Sequence, residues 1–323
     1  MNIIAADVGG TKTRLLYASS GQTTSILNET CYASTGFDDF EALLQTFITD
    51  SRLQGGDIDI LMLALPGPVS SQGARLTNLP WIIEKQVLKD TFGIPEVFFI
   101  NDFQASALGT LQLDKDSCIV LNRVHNTDNP LDGNKLRVAV GAGTGLGVAW
   151  LQENEAGTQS HASEGGHMDF APADATQLEL LRYMHRQYEH VSYERLLSGS
   201  GLVSLYRFFA GTEKKNIEPG WISQHAIDNA DAGRALSTFV QIYGAYIGNI
   251  AMLFKPNQGI YITGGIAAKI SDSMQSDDFL NAYRNKGRMR TLVEQVPVYL
   301  VTEERVGVLG ALSEAVKIQQ VSR

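Results

Sequence analysis

The 323-residue chain carries 26 basic and 35 acidic side chains, a net charge of −9, and 44% hydrophobic residues. That length accommodates two domains, and that hydrophobic share lies far above the disordered class. The acidic balance, with no dense Lys/Arg run, excludes a nucleic-acid or anionic-membrane binder. It leaves a phosphate ligand open, because backbone amides and Mg²⁺ handle phosphate locally.

The two cysteines, Cys31 and Cys118, are far apart. They form neither a disulfide framework nor a zinc site and are expected as buried small residues in a reducing compartment. The N-terminus shows no basic region and no signal-peptide core, as expected of a cytoplasmic protein.

In chain order, Ile3–Ala6 and Arg14–Tyr17 are short apolar runs around a Gly-Gly-Thr turn and predict a hairpin. Apolar residues at helical spacing predict a helix over Phe37–Ser51. The almost wholly apolar Ile58–Leu65 predicts a parallel strand covered on both faces. Val97–Ile100 is another such run, with a helical pattern from Phe103. Cys118–Leu121, Arg137–Val140 and Gly147–Leu151 open a second set of strands. Asn122–Lys135 between them reads as an exposed loop. Helices are expected over Ala175–Tyr188, Gly201–Phe209 and Asp231–Phe254. The last of these holds Gly244 and Gly248, and its polar residues favour a buried helix in close contact with a neighbour over a membrane span. Strands at Ile260–Thr263 and Val296–Val301 and a closing helix over Val308–Gln319 complete an α/β chain.

Strand, Gly/Thr turn, strand occurs twice. Ala6-Asp7-Val8-Gly9-Gly10-Thr11 leads into Arg14–Tyr17, and Gly141 to Gly147, with Gly143, Thr144 and Gly145, leads into Val148–Trp150. Successive amides in such turns make anion-binding nests. Neither turn has the spacing of a Walker loop or of a dinucleotide fingerprint. Asp7, at a strand end beside one nest, suits Mg²⁺ held through water.

Asn101-Asp102 ends a buried strand, where a carboxylate reaches the ligand crevice of an α/β sheet; a helix cap is the alternative, and the two coexist if Asn101 caps. In Glu164-Gly165-Gly166-His167 a glycine pair lets carboxylate and imidazole converge on a small polyol, against the reading of a polar surface turn. A metal site there lacks a second His or Cys at ligand spacing. Glu194 taken alone reads as a solvated helix charge. Gly264-Gly265, between a strand and a helix, suits a flat adenosine on backbone, or is a plain turn. His125, His161, His185, His190 and His225 stand in polar contexts and receive no role.

Taken together and in this order, with Leu65–Pro68, Thr77-Asn78, Asn285–Arg288 and Gly307–Gly310, these motifs resemble the bacterial glucokinase family. That family is the non-repressor branch of the hexokinase and actin-like ATPase superfamily, and the similarity runs over essentially the whole chain. The resemblance implies two ribonuclease-H-like α/β domains around a cleft: residues 1–109 plus 302–323, and 110–301. It implies Asp102 as catalytic base and Asn78, Asn101, Glu164, His167 and Glu194 as sugar ligands. The Asp7–Thr11 and Gly141–Gly147 turns match the ATP phosphate loops, and Gly264-Gly265 the adenosine contact.

The reaction so implied is transfer from ATP to the 6-hydroxyl of glucose in a cytoplasmic homodimer using Mg²⁺. Zinc is not expected, since the cysteine-rich motif of the repressor branch is missing. A kinase for another hexose and a non-catalytic sugar sensor are the alternatives. The chain departs from its relatives at Lys12, where Asn is common, and at Leu79-Pro80-Trp81, where a polar pair usually precedes Trp.

Overall fold

The computed structural model describes residues 1–321 apart from 77–78, 125–132, 134, 156 and 213–215. The chain divides into two compact units, Met1–Asp114 with Glu303–Arg323, and Lys115–Thr302.

In the first unit β1 (Asn2–Val8), β2 (Lys12–Ser20) and β3 (Thr24–Ala33) form an antiparallel meander. After α1 (Phe40–Asp50), β4 (Ile60–Leu65) pairs parallel with β1. A small ribbon, β5 (Gly73–Arg75) with β6 (Ile82–Glu84), and α2 (Lys85–Phe92) lead to β7 (Glu96–Asn101), parallel to β4, and α3 (Asp102–Gly109) starts at its end. The sheet order is β3-β2-β1-β4-β7. All six residues of β4 are buried because both faces of the sheet are covered. Phe40, Leu43, Leu44 and Phe47 of α1 share a core with Leu61 and Leu63 on one face. The C-terminal helix Val306–Val321 packs on β1, β4 and α3. Its approach to α3 needs glycine, since a Cβ on Gly310 would stand 1.7 Å from the Ala105 carbonyl oxygen.

The second unit repeats the plan. β8 (Cys118–Asn122), β9 (Leu136–Ala142), β10 (Leu146–Asn154) and β11 (Gly157–Ser163) come first. The helices α4 (Ala175–Met184), α5 (Gly199–Ala210), α6 (Pro219–Gln224) and α7 (Ala230–Phe254) follow. After β12 (Ile260–Thr263) come α8 (Gly265–Lys269), α9 (Ser271–Met274), α10 (Asp277–Arg284) and α11 (Arg290–Glu294), then β13 (Val298–Val301). The order β11-β10-β9-β12-β13-β8 matches the first sheet over five strands, with β8 added antiparallel at the edge. The repetition seen in sequence falls on β1–β2 and β9–β10, equivalent hairpins of two ribonuclease-H-like sheets.

Helix α7 has the length to cross a membrane and an 18-residue stretch of mean hydropathy 1.2, yet 67% of that stretch is buried in the core of its unit. Asn229 caps it, and Gly244 and Gly248 bring it against α10, as the sequence implies: a Cβ on Gly244 would meet the Phe279 carbonyl oxygen at 2.3 Å. The cysteines correct their expectation. Cys31 is exposed on edge strand β3, and Cys118 is only partly buried.

Candidate active site

The parallel strands β1, β4 and β7 deliver their C-terminal ends to one edge of the first sheet. Asp7 registers with Ala64, and Leu65 with Asn101, so Asp7 and the Asn101-Asp102 pair lie two strands, about 10 Å, apart. The turn after β1 is pinned from behind by Ser34. Its N–H donates to the Thr11 carbonyl at 3.0 Å and its hydroxyl to the Gly9 carbonyl at 2.7 Å. Lys12, the departure from the family pattern, is exposed.

Asp7 keeps some exposed surface, yet its carboxyl is densely enclosed, and burial pushes its pKa from 3.8 up to about 6 against the pull of Arg14. That pull is limited because Arg14 also pairs with Glu29 and Glu304. The carboxylate lies against Gly307 in the first turn of the C-terminal helix, where an added Cβ would stand 2.2 Å from Asp7 Oδ2. An enclosed carboxylate that is costly to ionise alone fits a site completed by a cation. Among the described residues no group of three His, Cys, Asp or Glu side chains converges. Mg²⁺ at Asp7 would therefore complete its oxygen shell mostly from water and phosphate.

Asn101 caps α3. Its Oδ1 accepts from the N–H groups of Phe103 at 3.0 Å and Gln104 at 3.2 Å, and its amide donates to the Gly67 carbonyl at 3.3 Å. Asp102 is the first residue of the helix, and its Oδ1 accepts from the Phe103 N–H at 2.9 Å. Asn78 lies outside the described residues.

In the second unit, three segments meet at one end of the sheet. Glu164 to His167 forms a tight turn after β11. Backbone bonds from Phe170 N–H to the Val191 carbonyl and from Tyr193 N–H to the Met168 carbonyl lash this segment to the one carrying Glu194. His167 Nε2 thereby stands 3.9 Å from Glu164 Oε2 and 3.9 Å from Glu194 Oε1. Both distances are too long for hydrogen bonds. The side chains of Glu164 and His167 are 74% and 57% exposed, so a ligand reaches them directly. Glu194 is tied to the Gly143–Gly145 turn, since its Oε2 accepts from the Leu146 N–H at 2.9 Å. The Gly143 carbonyl accepts from the Gly199 N–H at the start of α5, at 2.9 Å. Thr263 registers with Gly141, which sets Gly264-Gly265 beside that turn, and a Cβ on Gly264 would lie 2.7 Å from the Ala142 carbonyl oxygen.

The structure thus brings together Ala6 to Thr11 with Asn101 and Asp102 in one unit. In the other it brings together Glu164, His167 and Glu194 with the Gly141–Gly145 and Gly264-Gly265 turns. Sequence reading missed their supports: Ser34, Tyr193, Tyr243 and Asn249. The hydroxyl of Tyr243 accepts from the Ala142 N–H at 3.1 Å, and Asn249 donates to the Tyr193 hydroxyl at 3.0 Å. For Tyr243 and Asn249 helical spacing on α7 was the signal, and a tyrosine at such spacing reads as core. A polar cavity of about 720 Å³ is lined by residues including Tyr193, Asn249, Gln241 and Lys286. It includes none of the candidate residues.

Two ribonuclease-H-like sheets with glycine turns at their hairpins define the actin-like ATPase class of sugar kinases. A model of the glucokinase family matches residues 4–318. The chain is 33% identical over 338 residues to a glucokinase of Nostoc punctiforme, covering 96% of this chain and 97% of that one. The glucokinase from an Antarctic psychrotroph superposes with a TM-score of 0.80 at 27% identity, covering 97% of this chain and 98% of that chain. A ROK-family glucokinase from Streptomyces griseus, solved with glucose and AMPPNP, shares the fold with a TM-score of 0.63 at 20% identity, over 97% and 99% of the two chains. The chain belongs to the glucokinase family.

Proposed function

We propose that this chain transfers the γ-phosphoryl group of ATP to the 6-hydroxyl of glucose. The observation that carries the reading is the cluster of Glu164, His167 and Glu194, joined through Leu146 to a glycine turn, in a chain whose family is glucokinase. Two carboxylate acceptors and an imidazole, held apart at hydroxyl-sized spacing, suit a polyol. Asn101 and Asn78 add amide contacts.

Asp102 accepts the 6-hydroxyl proton and directs that oxygen at the γ-phosphorus; its own place at the start of α3 is held by Asn101, which carries the cap. Amides of the Asp7–Thr11 and Gly141–Gly145 turns receive phosphoryl oxygens, and Gly264-Gly265 the adenosine. Asp7 would hold Mg²⁺ through water, and the ion would supply charge neutralisation at the phosphates. Phosphoryl transfer of this kind rests on positioning and electrostatics more than on covalent chemistry. Family likeness is also the basis for reading the protein as a soluble cytoplasmic homodimer of glycolysis.

The test is ADP release from Mg-ATP against a panel of hexoses with a no-sugar control. A large glucose-dependent rate is expected. A rate with another hexose alone keeps the mechanism and changes the substrate, and a flat response with ATP still bound defeats the kinase reading in favour of a sensor.

A further inference from the structure

Helix α7 backs the site with three polar tips spaced three residues apart. Tyr243 bonds the Ala142 N–H at the base of the Gly143–Gly145 turn, and Asn249 bonds Tyr193, the residue before Glu194. Between them lies Tyr246, fully buried, its ring 4.6 Å from that of Tyr193. Its hydroxyl has no hydrogen-bond partner among the described residues. A buried hydroxyl left so costs on the order of 1–3 kcal/mol, which marks it as a group awaiting a partner. The polar cavity beside Tyr193 reaches Ala245 and Asn249 but is not lined by Tyr246, so it brings no water to this hydroxyl.

What the hydroxyl faces is the turn carrying Glu164 and His167. A Cβ on Gly165 would stand 3.4 Å from the Tyr246 hydroxyl and 3.2 Å from Ser163 Oγ, so both oxygens flank the same face of Gly165. Ser163 Oγ already accepts the Gly165 N–H at 3.0 Å. It retains a second lone pair for another donor.

We infer that Tyr246 is a positioning residue for the sugar turn: its hydroxyl donates to Ser163 Oγ when sugar seats on Glu164 and His167. The bond turns an unsatisfied group in the free protein into a satisfied one in the sugar complex, so it favours the loaded turn selectively. It leaves the nucleotide side untouched. The inference rests on the proposed role of Glu164 and His167 in holding sugar.

Tyr246→Phe removes the hydroxyl and keeps the ring. The free protein is expected to hold its melting temperature or gain about 1–3 °C, since a buried unpaired group is lost. KM for glucose is expected to rise about 3- to 10-fold, the worth of one hydrogen bond, with KM for ATP within about twofold. Ser163→Ala should raise glucose KM at least as much, since it also removes the acceptor of the Gly165 N–H, and adding Tyr246→Phe to it should change nothing further. A lower melting temperature in the free Tyr246→Phe protein overturns the inference, because the hydroxyl is then bonded without sugar. An unchanged glucose KM overturns it as well. Glu164→Gln separates the two levels. If it leaves glucose KM unchanged, the sugar reading of the turn fails; if it raises KM while Tyr246→Phe stays inert, only the role of Tyr246 fails.

Discussion

In the proposed mechanism Asn101 caps α3 and Asp102, next to it, serves as the base. Asn101 accepts from two orphan amides of α3, and Asp102 in the first turn shares one of them, the Phe103 N–H. Asp102→Asn preserves shape and removes the proposed base. Its kcat is expected to fall by about 10²- to 10⁴-fold with the calorimetric affinity for glucose largely kept, and near-normal turnover would refute the assignment. Asp7 has a different signature. With its pKa raised from 3.8 to about 6, ionisation is uncosted below about pH 4, where folded and unfolded forms are both protonated. The stability lost grows as pH rises through this window and is complete above the folded value. Asp7→Asn should therefore stabilise the ligand-free protein by about 1–3 kcal/mol in urea titrations at pH 8, with the gain gone near pH 4. A wild type more stable than the variant at pH 8 would show that burial is not what shifts Asp7. Both residues were legible as candidates in the sequence because each is a carboxylate at the end of an apolar strand. Glu164 and His167 were legible as candidates through the glycines between them. Glu194 carries no local signal and was identified by family resemblance alone, while Tyr246 reads as core in any helical pattern.

At the level of elements, burial on both faces decided what the sequence revealed. β4 announces itself as an apolar run, β7 does so although it lies at the sheet edge with only Val97 and Ile100 buried, and the β1–β2 and β9–β10 hairpins are marked by their glycine turns. Edge strands β3 and β11 do not, because exposed positions there tolerate polar residues such as Thr24, Ser25 and Gln159 and erase the pattern. Helix α1 begins at Phe40 rather than Phe37 because Asp39 caps it, accepting from the Ala42 N–H at 2.7 Å. The glycines of α7 illustrate packing that helix propensity alone would misjudge. Gly244→Ala improves intrinsic propensity, yet its Cβ would collide with backbone of α10 at 2.3 Å. It should lower stability by about 1–3 kcal/mol in chemical denaturation. Gly220→Ala on α6, with nothing within 4 Å of its Cβ, should be neutral or slightly stabilising and serves as the control.

Across the whole molecule, the same sheet order is built by two chain segments of different continuity. The second unit is one uninterrupted stretch, Lys115–Thr302, whereas the first needs Glu303–Arg323 to return to it. That return closes a face of the first sheet: the C-terminal helix lies on β1, β4 and α3 through glycine contacts, including 1.8 Å between a Cβ on Gly109 and the Val306 carbonyl oxygen. Without it, the face of β1 and β4 opposite α1 would be exposed, too much apolar surface for a domain of that size to leave in water. A fragment of residues 115–302 should therefore melt cooperatively alone, while 1–114 alone should show no cooperative transition. The Thr302 N–H bonds the Ser117 carbonyl at 2.9 Å, so the two crossing segments run side by side where the chain passes between units. Joining 1–114 to 303–321 by a short Gly/Ser linker should consequently restore a sharp transition. Circular dichroism melts of the three fragments provide the check. A cooperative transition in 1–114 alone would mean that the C-terminal helix covers the sheet without being needed to form it.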